Sequence, residues 1–96
     1  MCLASIIRTK LGQALAPVRL EVVDQSHLHR GHAGARAEGE SHFRVEVVSA
    51  AFEGRSRLER QRMVHRVLHD ELAGGLHALA LTTLTPGEDE ERRRAT

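Results

Sequence analysis

The sequence predicts a small α+β domain with the element order α, β, β, α, β, α and a three-stranded sheet with helices packed on it. Two observations carry most of that reading. Two stretches repeat their apolar residues at three-and-four spacing, as an amphipathic helix does, and three stretches alternate apolar and other residues as half-buried strands do. A third observation is that glycines, prolines and helix caps fall between these stretches and seldom inside them. The 96 residues suffice for one domain, with a core over about 3–85 and a short helix and tail over 86–96.

Leu3, Ile6, Ile7, Leu11, Ala14 and Leu15 form the stripe of the first helix, about Leu3 to Ala16, which Pro17 ends. Val18, Leu20 and Val22 alternate with Arg19, Glu21 and Val23 in the first strand. Phe43, Val45 and Val47 alternate with His42, Arg44 and Glu46 in the second, and the two strands are expected to neighbour each other as a hairpin. Gln25 to Ser41 has no apolar periodicity but holds Gly31, Gly34, Gly39 and three of the seven histidines. Connections of this length are uncommon in compact domains and are often functional.

Ser56 and Glu59 form a capping box for the second helix, whose apolar face is Val64, Val67, Leu68 and Leu72 with Met63 beside it. Gly74 and Gly75 are expected to stop it in the left-handed conformation. The run from His77 to Leu84 predicts a third strand, apolar on both faces and hence central or covered by helices. Thr85, Pro86 and Glu88 start a last short helix that dissolves from Arg92 onward, with its acids leading and its arginines following.

Composition removes several functions. The formal charge is +1 and Phe43 and Phe52 are the only aromatic residues, so the chain has neither a strong polyanion field nor a base-stacking platform. Cys2 is the only cysteine, which forbids an internal disulfide and fits a reducing compartment, the cytoplasm by expectation. No apolar run reaches the length of a membrane span.

Catalytic motifs are absent as well, and an enzyme is not expected. Gly39-Glu40-Ser41-His42-Phe43 lacks the second glycine of a nucleophile elbow. His65 and His69 stand four apart, but Arg66 occupies the place of the glutamate base of a zinc protease. Phosphate-cradling and dinucleotide loops are missing. Gly31-His32-Ala33-Gly34 has the letters of a KH loop but lies between strands, where that loop joins helices. Arg55, Arg62 and Arg66 form a modest basic strip on the second helix, with Glu59 among them. Such a strip reads first as a solvated face and second as a phosphate-contacting one.

Four segments together resemble the BolA family: Leu20-Glu21-Val22-Val23-Asp24-Gln25-Ser26, Gly39-Glu40-Ser41-His42-Phe43-Arg44-Val45, Arg60-Gln61-Arg62-Met63-Val64 and Leu76-His77-Ala78-Leu79-Ala80-Leu81. The match runs in order from about Leu3 to Thr85. It implies a fold related to class II KH domains. It also implies a monothiol glutaredoxin partner with which a [2Fe-2S] cluster is shared, the partner supplying glutathione; some members are described as DNA-binding regulators. Alone, the chain is expected to be a monomer or weak homodimer.

Carried over by residue, the resemblance implies that His77 is one cluster ligand. The second comes from the connection between the first two strands. Counting forward from Asp24-Gln25-Ser26 gives His29; counting back from Ser41-His42-Phe43 also admits His32; His27 fits least. Iron-sulfur clusters usually take four thiolates, and two imidazoles can replace two of them. With one cysteine the chain needs a partner's thiolate. Imidazole must be neutral to bind metal, and a free histidine titrates near ~6.5, so acid is expected to loosen such a site. His42, His65 and His69 are assigned to structure.

Overall fold

The computed structural model describes residues 2–25 and 42–95. Their order is α1 (Leu3–Leu15), β1 (Arg19–Asp24), β2 (His42–Val48), a 3-10 turn (Ala50–Phe52), α2 (Arg57–Val67), α3 (His69–Gly74), β3 (Ala78–Leu84) and α4 (Pro86–Ala95). The predicted α+β class and order are therefore observed, with the second helix divided in two.

β1 and β2 pair antiparallel, from Arg19 opposite Val48 to Asp24 opposite Phe43, as expected of neighbouring strands. β3 runs parallel to β2, from His42 opposite Ala78 to Val48 opposite Leu84. A parallel partner needs a long crossover, and residues 49–77 provide it through α2 and α3. The sheet order is β1-β2-β3, so of the two places expected for the third strand, central or covered by helices, the first is corrected, while Leu79 and Leu81 pack against the core to which the helices contribute. β2 is central, and Phe43, Val45, Val47 and Val48 are buried on it. The apolar character of β3 misleads because Ala78 and Ala80 are small, apolar and exposed.

Side chains alternate across the sheet, so Val22, Phe43, Val45 and Val47 share one face with Leu79 and Leu81. α1 brings Ile7, Leu11 and Leu15 to this face, and α2 and the residue after it bring Val64 and Leu68. Phe52 closes the core with no exposed surface. Burial of apolar area at roughly 25 cal/mol per Å² makes these residues the main source of stability.

Several boundaries differ from the sequence reading. Ala16, ahead of Pro17, already leaves the helix in the left-handed region with φ 44°, its N–H donating to the Gly12 carbonyl at 3.1 Å. Ser49 is fully buried; its hydroxyl donates to the Leu15 carbonyl at 2.6 Å and accepts from the Ala51 N–H at 3.0 Å. One small side chain thus joins the end of α1 to the end of β2. The Ser56/Glu59 capping box forms in both directions, at 2.8 and 3.1 Å.

The second helix breaks at Leu68, with φ −98° and ψ 18°, instead of running on to the glycines. Burial of Leu68 in the core holds the chain at that turn. Gly74 and Gly75 do end α3, yet neither is left-handed; Gly54, at φ 73° in the turn before α2, is the one glycine with positive φ among the described residues. α4 keeps its helix through Arg92, Arg93 and Arg94 to Ala95. The predicted dissolution from Arg92 does not occur. Opposite-sign partners explain this, since Arg92 lies 3.7 Å from Glu46 and Arg93 lies 3.4 Å from Asp89.

Candidate metal-ligand site at one end of the sheet

The register sets the geometry of the candidate site. The Gln25 N–H donates to the His42 carbonyl at 2.8 Å, which closes the β1–β2 ladder where the 26–41 connection leaves and returns. His42 is opposite Ala78, so the residue before β3, His77, stands beside that same end. Adjacent strands lie ~4.8 Å apart, which puts the last residue of β1 within roughly 10 Å of the first of β3.

His77 is exposed on the short link from α3 to β3. What fixes the link is its neighbour Leu76, 3% exposed and part of the core. The N–H groups of Gly75 and Leu76 both donate to the Glu71 carbonyl, at 3.1 and 3.0 Å. Glu71 in turn holds Lys10 of α1 at 2.8 Å, and hydrogen bonding to Glu71 raises the Lys10 pKa. An exposed imidazole therefore sits on a backbone tied to two helices and a strand.

His27, His29 and His32 lie outside the described residues. His42 is half-buried at the start of β2; sequence reasoning set it aside, and the register places it within one residue of His77 across the sheet. His65 and His69 are exposed near the break between α2 and α3, with His69 Nδ1 3.4 Å from Asp70. Cys2 is exposed ahead of α1, its Sγ 3.2 Å from Ser5 Oγ. Among the described residues no three His, Cys, Asp or Glu side chains are grouped to hold a metal ion. His77 thus offers one nitrogen, and its chemistry fits a cluster only if other groups complete the sphere.

Arg55, Arg62 and Arg66 are all exposed, on α2 and just before it. Glu59 lies among them as expected. The Ser56 backbone N–H lowers its pKa most, and Arg55 and Arg62 lower it further. The strip is open to solvent but partly neutralised.

The other end of the sheet is closed by charge, a feature that sequence reasoning missed. Arg19 pairs with Glu46 at 2.5 Å and Asp89 at 2.6 Å, and hydrogen bonding to Asp89 pushes its pKa up. Arg60 grips Glu88 with two bonds of 2.6 and 3.2 Å, reaches the Thr83 carbonyl at 3.4 Å and lies 5.9 Å from the Phe52 ring centre. These ties hold α4, which buries no residue of its own. Acids in the first turn of α4 were visible in the sequence; their distant partners were not.

A mixed three-stranded sheet with its main helices on one face, and an exposed imidazole where its last strand begins, defines a small α+β domain with one chemically open end. The family model described as BolA-like protein matches residues 11–88. SufE-like protein 1 of Arabidopsis thaliana is 48% identical over 85% of this chain, which spans only 23% of that relative. The Escherichia coli protein named DNA-binding transcriptional regulator BolA is 46% identical, over 94% of this chain and 82% of its own length. The solved structure of BolA1 from Arabidopsis thaliana superposes with a TM-score of 0.83 at 44% identity, over 92% of this chain and 96% of that one. The chain belongs to the BolA-like family.

Proposed function

We propose that this chain is a non-enzymatic adaptor that pairs with a monothiol glutaredoxin and co-ligates a [2Fe-2S] cluster through His77 and either His29 or His32. The observation that carries the reading is the strand register. It sets His77 beside both roots of the connection that holds the other histidines. His29 is four residues past Gln25, and at ~3.3–3.6 Å per extended residue the chain is long enough to bring it across two strand spacings. His32 is also within chain reach.

The cluster supplies electron-accepting iron, and the role of this chain is to present nitrogen at a fixed place. A partner must supply the thiolates, because Cys2 is the only cysteine here. The relative named for SufE-like function carries a BolA domain in its solved structure, which supports a place in iron-sulfur chemistry. We place the protein in the cytoplasm on its cysteine content, although two relatives are named chloroplastic. Among the described residues no helix is long and apolar enough to cross a membrane.

The test mixes the protein with a monothiol glutaredoxin, iron, sulfide and glutathione and compares visible absorption and circular dichroism with those of the glutaredoxin alone. New bands that His77→Ala removes are the expected result. Spectra unchanged by this chain, or by His77→Ala, defeat the reading.

A second reading is DNA binding through Arg55, Arg62 and Arg66, favoured by the printed name of the E. coli relative and by the exposure of all three arginines. It predicts affinity that falls steeply with salt and is lost on reversal of Arg62 and Arg66. Binding no stronger than that of an unrelated protein of equal charge rejects it.

A further inference from the structure

The outer edge of β3 is open. The Leu84 carbonyl accepts from the Ser49 N–H at 2.9 Å on the β2 side, and successive residues of a strand point their N–H and C=O groups to opposite edges. Leu79, Leu81 and Thr83 consequently turn theirs outward. Arg60 covers the Thr83 carbonyl at 3.4 Å. Among the described residues no other strand covers this edge in the sheet order β1-β2-β3.

The end of this edge, Leu81 to Leu84, lines a trough of ≈ 310 Å³ together with Arg57 and Gln61 of α2 and Arg92 of α4. Arg57 has no carboxylate partner among the described residues. Arg92 lies 3.7 Å from Glu46 and shares a surface hollow with Asp89. Free strand edges recruit other strands, and charged flanks select which.

We propose that the outer edge of β3 is the docking strand for an extended acidic segment of a partner protein. The segment's backbone pairs with the outward groups of Leu79 and Leu81, and its carboxylates meet Arg57 and Arg92. A second copy of this chain is disfavoured as occupant, because two-fold pairing of β3 strands brings arginine-lined walls together. Nucleic acid lacks the peptide groups that a strand edge reads, and the two aromatic residues are buried and unavailable for stacking.

The probe is a capped eight-residue peptide alternating valine with glutamate, compared with its lysine counterpart and with a version carrying proline in place of its central residues. Backbone amide shifts of the 15N-labelled protein and hydrogen exchange report binding. The expected result is that the glutamate peptide shifts Leu79, Leu81 and Thr83 and slows exchange of their amides. Arg57→Glu weakens binding by at least about tenfold while the melting temperature stays put, Arg57→Gln weakens it less, and the proline version does not bind. Equal binding of the lysine peptide, shifts centred elsewhere, no binding at millimolar peptide, or sedimentation showing β3 already occupied in a homodimer each overturns the proposal.

Discussion

The two ends of the sheet use charge and exposure in opposite ways. At the end where β1 stops and β3 starts, His77 projects into solvent from a link fixed by Leu76 and Glu71. At the other, Arg19, Glu46, Asp89, Arg60 and Glu88 satisfy one another and hold α4 to the sheet. At the first end an imidazole stands exposed on a fixed backbone; at the second, the charged groups that hold the fold together are paired. The contrast predicts that substitutions at the first end change binding without changing stability, and that those at the second do the reverse.

The largest effect is expected at the open end. His77→Ala should abolish the spectral change that the proposed function expects with glutaredoxin and cluster components, while thermal unfolding by circular dichroism moves by less than about 0.5 kcal/mol, as exposed sites usually do. A large loss of stability would break the contrast. At the closed end the order reverses: Ser49→Ala leaves the buried Leu15 carbonyl without its donor, removes the acceptor of the Ala51 N–H, and should cost about 1–3 kcal/mol in urea unfolding. The cluster spectrum should survive it.

Acid separates the two ends again. Arg60 holds the Glu88 carboxyl down to about 2 from the ordinary 4.5, and Arg19 lowers Asp89 as well. A folded-state pKa below the unfolded one gives stability that is present above pH 4.5 and is lost as the pH falls toward 2. Glu88→Gln should therefore lower the melting temperature at neutral pH and flatten its acid dependence in that window. High salt should shrink the difference.

The smallest effect is expected with the opposite sign. Ala16 pays a steric cost at φ 44° that glycine does not, so Ala16→Gly should raise stability by up to about 1 kcal/mol. An unchanged or lower denaturant midpoint would show that the following Pro17, and not the side chain of Ala16, sets the local strain.

Local features of this fold were legible residue by residue. The Ser56–Glu59 box and the Thr85–Glu88 box, the latter closed by bonds of 2.9 and 3.2 Å, need only neighbours in the chain. The alternation around Phe43 and Val45 needs only the strand period. The break at Leu68 escaped because it arises where the core claims one side chain and the helix must yield. The place of β3 escaped because alternation shows that a strand exists, whereas neighbours are chosen by the crossover. Of the candidate site, the residue His77 was available through family resemblance, but its nearness to His42 and to the roots of the 26–41 connection comes from register alone.

The sequence by itself determined the element types, their caps, the apolar set for one core and, with a single cysteine, the lack of an internal disulfide. Only the tertiary structure decided that β2 is the central strand, that α4 is docked by Arg19 and Arg60 across 70 and 28 residues of chain, and that among the described residues β3 keeps a free edge. The physical reason is the range of the forces involved. Periodicity and capping act over three or four residues, while strand neighbours and ion pairs are fixed when distant segments meet.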